Sequence, residues 1–220
     1  MIKLKTLEVA GIGPAIHAMR NPYNSWPKSD TQQGCIGDAD RDLSERLANA
    51  GTEHCKHLRM CVVWVEIEAP LYWWKEFDTY RAGVEKISCS TMHTIAAREF
   101  VQDDFSTDHL TARSKAQLDM LIETLNDYRD DYIKAKDSED KKHAWWQLIQ
   151  LLPSSYNQRR TVMLSYAALR QICKQREGHK LDEWHVFRDW AMNLPEGWMI
   201  ANSAKSPMDA HGFRIKKGDD

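Results

Sequence analysis

Residues 2–9, IKLKTLEV, alternate apolar and polar, with Ile2 and Leu4, then Leu7 and Val9, as inward candidates; this is the two-residue period of a half-buried strand. GIGP then ends the run, and because this Gly-X-Gly has neither a third glycine nor a helix signal behind it, it reads as a turn and not as a phosphate loop. A cleaner alternation runs from Met60 to Ala69, with Val63, Val65 and Ile67 on one face, Val62, Trp64, Glu66 and Glu68 on the other, and Pro70 as its stop. Residues 84–92 read as a third strand. Elsewhere the apolar period lengthens to that of a helix, over 40–50 (Leu43, Leu47, Ala50), 71–81 (Trp73, Trp74, Phe77, Tyr80), 114–135 (Leu118, Leu121, Ile122, Leu125, Tyr132, Ile133) and 143–151. Pro153 removes a backbone donor and forces a break. Beyond it Val162, Tyr166, Leu169 and Cys173 recur at helical spacing, so the pattern predicts one long helix over 156–177, capped at Ser155 or Asn157 and ended at Gly178, then a last helix over 181–193.

Strands early and helices late predict an α+β fold: a small, mostly antiparallel sheet packed with a helix-rich C-terminal half, in one domain over 1–220. The tail from about 195 is Gly/Pro/Ser-rich and is expected to fray, with Trp198 and Phe213 as pins. Residues 20–37 (RNPYNSWPKSDTQQGCIG) form a long irregular loop, a length that usually serves to cover a ligand or a neighbouring subunit, and Tyr23 and Trp26 are its expected anchors. The mixed-sign run from Lys134 to Lys142 reads as a solvated turn, and Asp103-Asp104 and Asp130-Asp131 as solvated pairs.

Composition narrows the function. With 30 Lys+Arg against 32 Asp+Glu there is no global basic field, so no nucleic-acid partner is expected. No apolar run approaches the ~20 residues of a membrane helix, and MIKLKTLEVA does not read as a signal peptide, which predicts a cytoplasmic protein without a membrane partner. Five scattered cysteines suit a reducing compartment. His54, Cys55, His57, Cys61, Cys89 and His93 do not fall at zinc spacing, so no metal is expected, and no cysteine sits in an activating motif. What remains are cations and hydroxyls: Arg81, Lys86, Ser88 and Ser90 after the second predicted strand, and Arg159, Arg160, Arg170 and Arg176 in the C-terminal frame. An arginine offers a planar fork suited both to phosphate and to a pyrimidine carbonyl.

The order of a Leu-Pro turn, a helix ending in Arg176, His179 three residues on, and a helix carrying Glu183 and WHVFRDWA resembles the C-terminal half of the flavin-dependent thymidylate synthases. A His-bearing turn (His54 or His57), a strand, a helix and then Thr79-Tyr80-Arg81 resemble that family's stretch ending in Arg-His-Arg, of which Arg81 is the last member. Ser165, Ala167 and Gln171 stand where the family carries Asn, Arg and a second polar residue. The resemblance implies Arg176 as the catalytic arginine that holds and polarises the uracil of dUMP, with Gln171, Arg170 and Ser90 also toward substrate. It implies His57, Arg81, Ser88, Ser90 and His179 toward FAD, with NADPH and methylenetetrahydrofolate as the other reactants of a methyltransferase. It further implies a homo-oligomer, a homotetramer in the family, whose sites are shared between subunits. The chain is also similar to phage proteins, which implies an alternative: a phage-encoded, non-catalytic protein that binds or sequesters a nucleotide or nucleotide-derived signal in the host cytoplasm.

Overall fold

Val63, Val65, Ile67 and Ala69 are fully buried while Val62, Trp64, Glu66 and Glu68 are half-buried, and the strand that carries them is the spine of the sheet. In the computed structural model, which describes residues 1–201, the elements in chain order are β1 (Lys3–Ala10), α1 (Ile12–Ala18), α2 (Asp38–Asn49), α3 (Lys56–Met60), β2 (Val62–Pro70), α4 (Leu71–Phe77), β3 (Val84–Ser88), α5 (Thr91–Thr94), α6 (Ala112–Lys134), α7 (Ser138–Leu151), β4 (Asn157–Ser165), α8 (Tyr166–Gln175) and α9 (Asp182–Met192). The strands form one sheet in the order β1-β2-β4-β3 with every pairing antiparallel. The α+β class read from the sequence is therefore the observed one. β2 and β3 run parallel, joined through α4, and β4 fills the slot between them after the α6–α7 hairpin has intervened.

The principal departure is β4. The expected helix over 156–177 is a strand up to Ser165 and a helix only from Tyr166. Val162, Tyr166, Leu169 and Cys173 are all buried, but the spacing between the first two spans a strand-to-helix junction. The inward positions of β4 are Gln158, Arg160, Val162 and Leu164, facing Ala69, Ile67, Val65 and Val63 of β2. Two polar side chains on the core face hid the two-residue period.

Smaller departures have local causes. β1 carries a register shift between Thr6 and Glu8, so Leu7 falls outside the ladder and is exposed, while Leu4 and Val9 both reach the core. GIGP ends β1, yet it also opens α1: Gly11 takes φ +86°, where a Cβ would collide with the Met60 carbonyl oxygen at 2.1 Å. Only Ala135–Asp137 of the charged run is a turn, since α6 runs to Lys134 and Asp137 accepts from the amides of Glu139 and Asp140 and caps α7. Asp104 is buried, paired with Arg98 and accepting from Val101 N at 2.9 Å, and so is not solvated as expected.

Tyr23 is 90% exposed and anchors nothing, whereas Trp26, though exposed, stacks on His17 of α1 with ring centroids 6.0 Å apart and donates to Asn21 Oδ1 at 2.9 Å; neither is the main anchor of the 20–37 loop. Asp40 is. From the first turn of α2 it accepts from Arg20 Nε at 2.6 Å, Ser29 Oγ at 2.6 Å and Thr31 Oγ1 at 2.7 Å. Burial alone would raise the Asp40 pKa; the bonds from Ser29, Thr31 and Arg20 outweigh it and hold the carboxyl below its ordinary value. Trp198 packs on the core and under the Arg41 guanidinium, 4.6 Å from its ring centroid, whereas Phe213 lies outside the described residues.

The core on the helix-covered face of the sheet is aromatic. Trp73, Trp74 and Phe77 of α4 meet Trp184 and Phe187 of α9, with Trp73 and Trp184 ring centroids 4.7 Å apart and Trp73 and Phe77 4.9 Å apart. A second cluster, Leu118, Leu125, Leu148, Ile95, Phe100 and Phe105, lies beneath the α6–α7 hairpin.

Candidate functional site

The turn after α4 is pressed against α8. Gly83 has φ +70°, its carbonyl accepts from Ser165 N at 2.9 Å, and a Cβ there would lie 2.5 Å from Ser165 Oγ, so a side chain at this position would force the turn away. Ser165 in turn caps α8, accepting from Ala168 N at 3.2 Å. At the far end of α8, Arg176 Nε donates to Tyr80 Oη at 2.8 Å. The Tyr80–Gly83 turn thus lies along α8 from end to end, which brings Arg81 onto the same seam as Arg176.

Arg176 is the C-cap of α8, where a cation meets the unpaired carbonyls of the last turn. Its guanidinium lies 4.5 Å from the Trp184 ring centroid, and its Nη1 donates to Glu76 Oε2 at 2.8 Å. Trp184 Nε1 donates to the same oxygen at 2.9 Å. His179 Nδ1 accepts from Leu181 N at 3.1 Å, and its Nε2 lies 3.0 Å from Arg176 Nη1 and 3.3 Å from Glu76 Oε2. α4, α8 and α9 therefore converge on one carboxylate. Arg176 and His179 are legible in the sequence, whereas Glu76, a lone acid in the aromatic helix LYWWKEF, is not.

The other residues put forward from the sequence are scattered. Arg81, Ser88 and Gln171 are exposed, and among the described residues their side chains have no partner. Ser90 caps α5, accepting from His93 N at 3.3 Å. Lys86 pairs with Asp78 at 2.7 Å, and Arg160 donates to the same Asp78 oxygen at 2.8 Å while stacking 4.1 Å from the Trp74 ring centroid. Arg159 pairs with Glu68 at 3.0 Å on the sheet face opposite the helices. Arg170 is directed at the chain itself, donating to the carbonyls of Met199 at 3.2 Å and Ala201 at 2.6 Å and to Asn49 Oδ1 at 2.7 Å.

His57 is 3% exposed, with Nε2 2.8 Å from Ser44 Oγ and no partner for Nδ1. Burial, aided by the nearby Arg170 charge, lowers its pKa from 6.5 to about 4. Below pH 6.5 the unfolded chain takes up a proton that the folded chain refuses, so this residue should cost roughly 3 kcal/mol of stability as pH falls to about 4. Denaturant unfolding at pH 7 and pH 4.5 should show that loss, and His57→Gln should remove most of it; an unchanged slope in the variant would contradict the assignment.

Cys61 and Cys173 are buried, which raises both thiols to about 12 and leaves them inert. Among the described residues no group of three or more His, Cys, Asp or Glu side chains is placed to hold a metal ion, and no helix is long and apolar enough to cross a membrane.

An antiparallel sheet with an aromatic helical layer of α4 and α9, and an arginine capping α8 against that layer, defines the architecture. No family model and no curated protein matches the sequence. Among solved structures, the chain is similar to thymidylate synthase X (ThyX) from Helicobacter pylori with FAD and dUMP, at TM-score 0.65 and 16% identity over 90% of this chain and 96% of that one. A second structure of that flavin-dependent enzyme, also complexed with FAD and dUMP, is similar at TM-score 0.64 and 17% identity over 89% of this chain and 95% of that one. The chain has the ThyX fold.

Flavin and its phosphates would need free cations and donors, and the residues within one chain do not fit that demand. Of Arg81, Arg170 and Arg176, two are bound internally, and His57 and His179 are each engaged by their own chain, while Ser90 accepts from His93 N and keeps its O–H donor. Arg81, Ser88 and that Ser90 donor remain.

Proposed function

We propose that the protein binds a uracil nucleotide at the seam of α8 with the Tyr80–Gly83 turn, and does so without turnover. The observation that supports this most is Arg176: it caps α8, is clamped on Trp184, and is 17% exposed in its side chain, in a chain whose fold extends over nearly the whole of structures solved with dUMP. In this reading Arg81, exposed and without a counterion among the described residues, is the cation for phosphate, with Gln171 as a further polar contact and Ser88 and Ser90 as hydroxyls at and just beyond the end of β3. Stabilising charge that develops in a reaction takes several preorganised donors, and the internal engagement of Arg176, Arg170 and His57 leaves too few. Fold alone does not carry chemistry. A non-catalytic binder that sequesters a nucleotide or nucleotide-derived signal, phage-encoded and acting in the host cytoplasm, fits these engagements.

The likeness to structures holding FAD favours a second reading, a methyltransferase that uses reduced flavin, NADPH and methylenetetrahydrofolate on dUMP. The absorption spectrum of purified protein before and after adding FAD separates the two. The binder stays colourless and leaves the FAD bands unshifted while dUMP raises its melting temperature; bound-flavin bands would overturn the non-catalytic reading.

A homo-oligomer would complete a site that one chain leaves thin. β3 is an edge strand and its Ile87 is 80% exposed, with Met92 and Trp146 exposed as well. Sedimentation velocity should give a multiple of the chain mass, the tetramer being the form the resemblance implies. A monomer at all concentrations would remove this claim.

A further inference from the structure

Arg176 does not stand in its site as a bare cation. Its Nη1 is spent on Glu76 Oε2 at 2.8 Å and its Nε on Tyr80, while Trp184 Nε1 adds a further bond to Oε2 at 2.9 Å. Among the described residues, Nη2 of Arg176 and Oε1 of Glu76 have no partner, and neither is sealed from solvent. The pair is electrically neutral as a unit. It presents a donor on one member and an acceptor on the other, with Glu76 35% exposed and Arg176 17% exposed. A phosphate approaching Arg176 would meet the Glu76 charge, whereas a planar group bearing N–H next to C=O could donate to Oε1 and accept from Nη2 at once.

We infer that Glu76 is a specificity-determining residue: with Arg176 it reads the imide edge of a uracil-type base, N3–H and the adjacent carbonyl, and it bars anionic groups from Arg176. This rests on the nucleotide reading above and deepens it. A carboxylate only accepts, so a base whose N3 carries no hydrogen loses one bond and leaves Oε1 desolvated without a partner. The ligand phosphate is then left to Arg81, which has no internal counterion among the described residues.

The test is calorimetric titration of dUMP, its N3-methyl analogue and inorganic phosphate into the wild type, Glu76→Ala and Glu76→Gln, with a thermal melt of each to confirm folding. The wild type should prefer dUMP to the N3-methyl analogue by roughly tenfold or more, and Glu76→Ala should bind the two within about twofold. Glu76→Gln keeps an acceptor and loses the charge, so it should retain the preference and bind inorganic phosphate about threefold or more tightly than the wild type. Preference for dUMP undiminished in Glu76→Ala, or phosphate affinity unchanged in Glu76→Gln, would overturn the role of Glu76 alone. A wild type that binds neither uracil ligand would bring down the nucleotide reading and this inference together.

Discussion

Arg176→Ala should weaken dUMP binding by roughly 1.5–3 kcal/mol, the cost of losing a hydrogen bond donated by a charged group to the base. The guanidinium is positioned from three sides, by Trp184 at 4.5 Å, Glu76 at 2.8 Å and Tyr80 at 2.8 Å, so it meets a ligand with little ordering left to do. Folding should suffer much less. Glu76 is about a third exposed and keeps its bond from Trp184, and a solvent-screened pair of this kind contributes under about 1 kcal/mol. Affinity measured by calorimetry should therefore fall far more than the denaturation midpoint moves. Arg176→Lys should recover the charge but not the affinity, because a single ammonium lacks the planar fork whose Nε and Nη1 hold Tyr80 and Glu76 while Nη2 is left for the ligand. Unchanged dUMP affinity in Arg176→Ala would refute the site.

Trp184→Ala should cost roughly 3–5 kcal/mol of stability, the range for emptying a buried aromatic position. Trp184 is fully buried and lies against Trp73 at 4.7 Å, Phe187 at 5.7 Å and Phe77 at 6.3 Å, between α4 and α9. Its loss opens a cavity among rings that cannot collapse into it, since each is held by other neighbours. It also strips Glu76 of a donor and Arg176 of its platform, so dUMP affinity should fall along with stability. Urea unfolding should show the midpoint displaced with the slope unchanged; a loss under about 1 kcal/mol would mean that the aromatic layer is not what holds α9 on α4.

What could be read in the chain before folding follows from where each side chain finds its partner. β2 was legible because its alternation is complete and its neighbours β1 and β4 leave its outer face half-exposed. α6 was legible from Leu118 and Leu125, which pack on its own hairpin partner. β4 was not, because Gln158 and Arg160 occupy core-facing positions and are satisfied from afar: Gln158 Nε2 by the Cys89 carbonyl at 2.9 Å, Arg160 by Asp78 and the Trp74 ring. No local pattern reports a partner some eighty positions away. The site divides the same way. Arg176 could be placed from its position at a helix end before Gly178, but Glu76 becomes its counterion only once α4 and α8 meet, and Arg170 and His57 proved to be tied to the chain's own packing. An isolated acid in an apolar helix was the one available signal for Glu76, since such a group must find a cation or several donors when the helix packs.

The most direct test is a calorimetric titration of the wild-type protein with dUMP, with FAD titrated in parallel. Saturable heat from dUMP at one site per chain and none from FAD is the expected result. A flat dUMP titration, or saturable binding of FAD, would contradict the assignment of this fold to uracil-nucleotide binding without flavin.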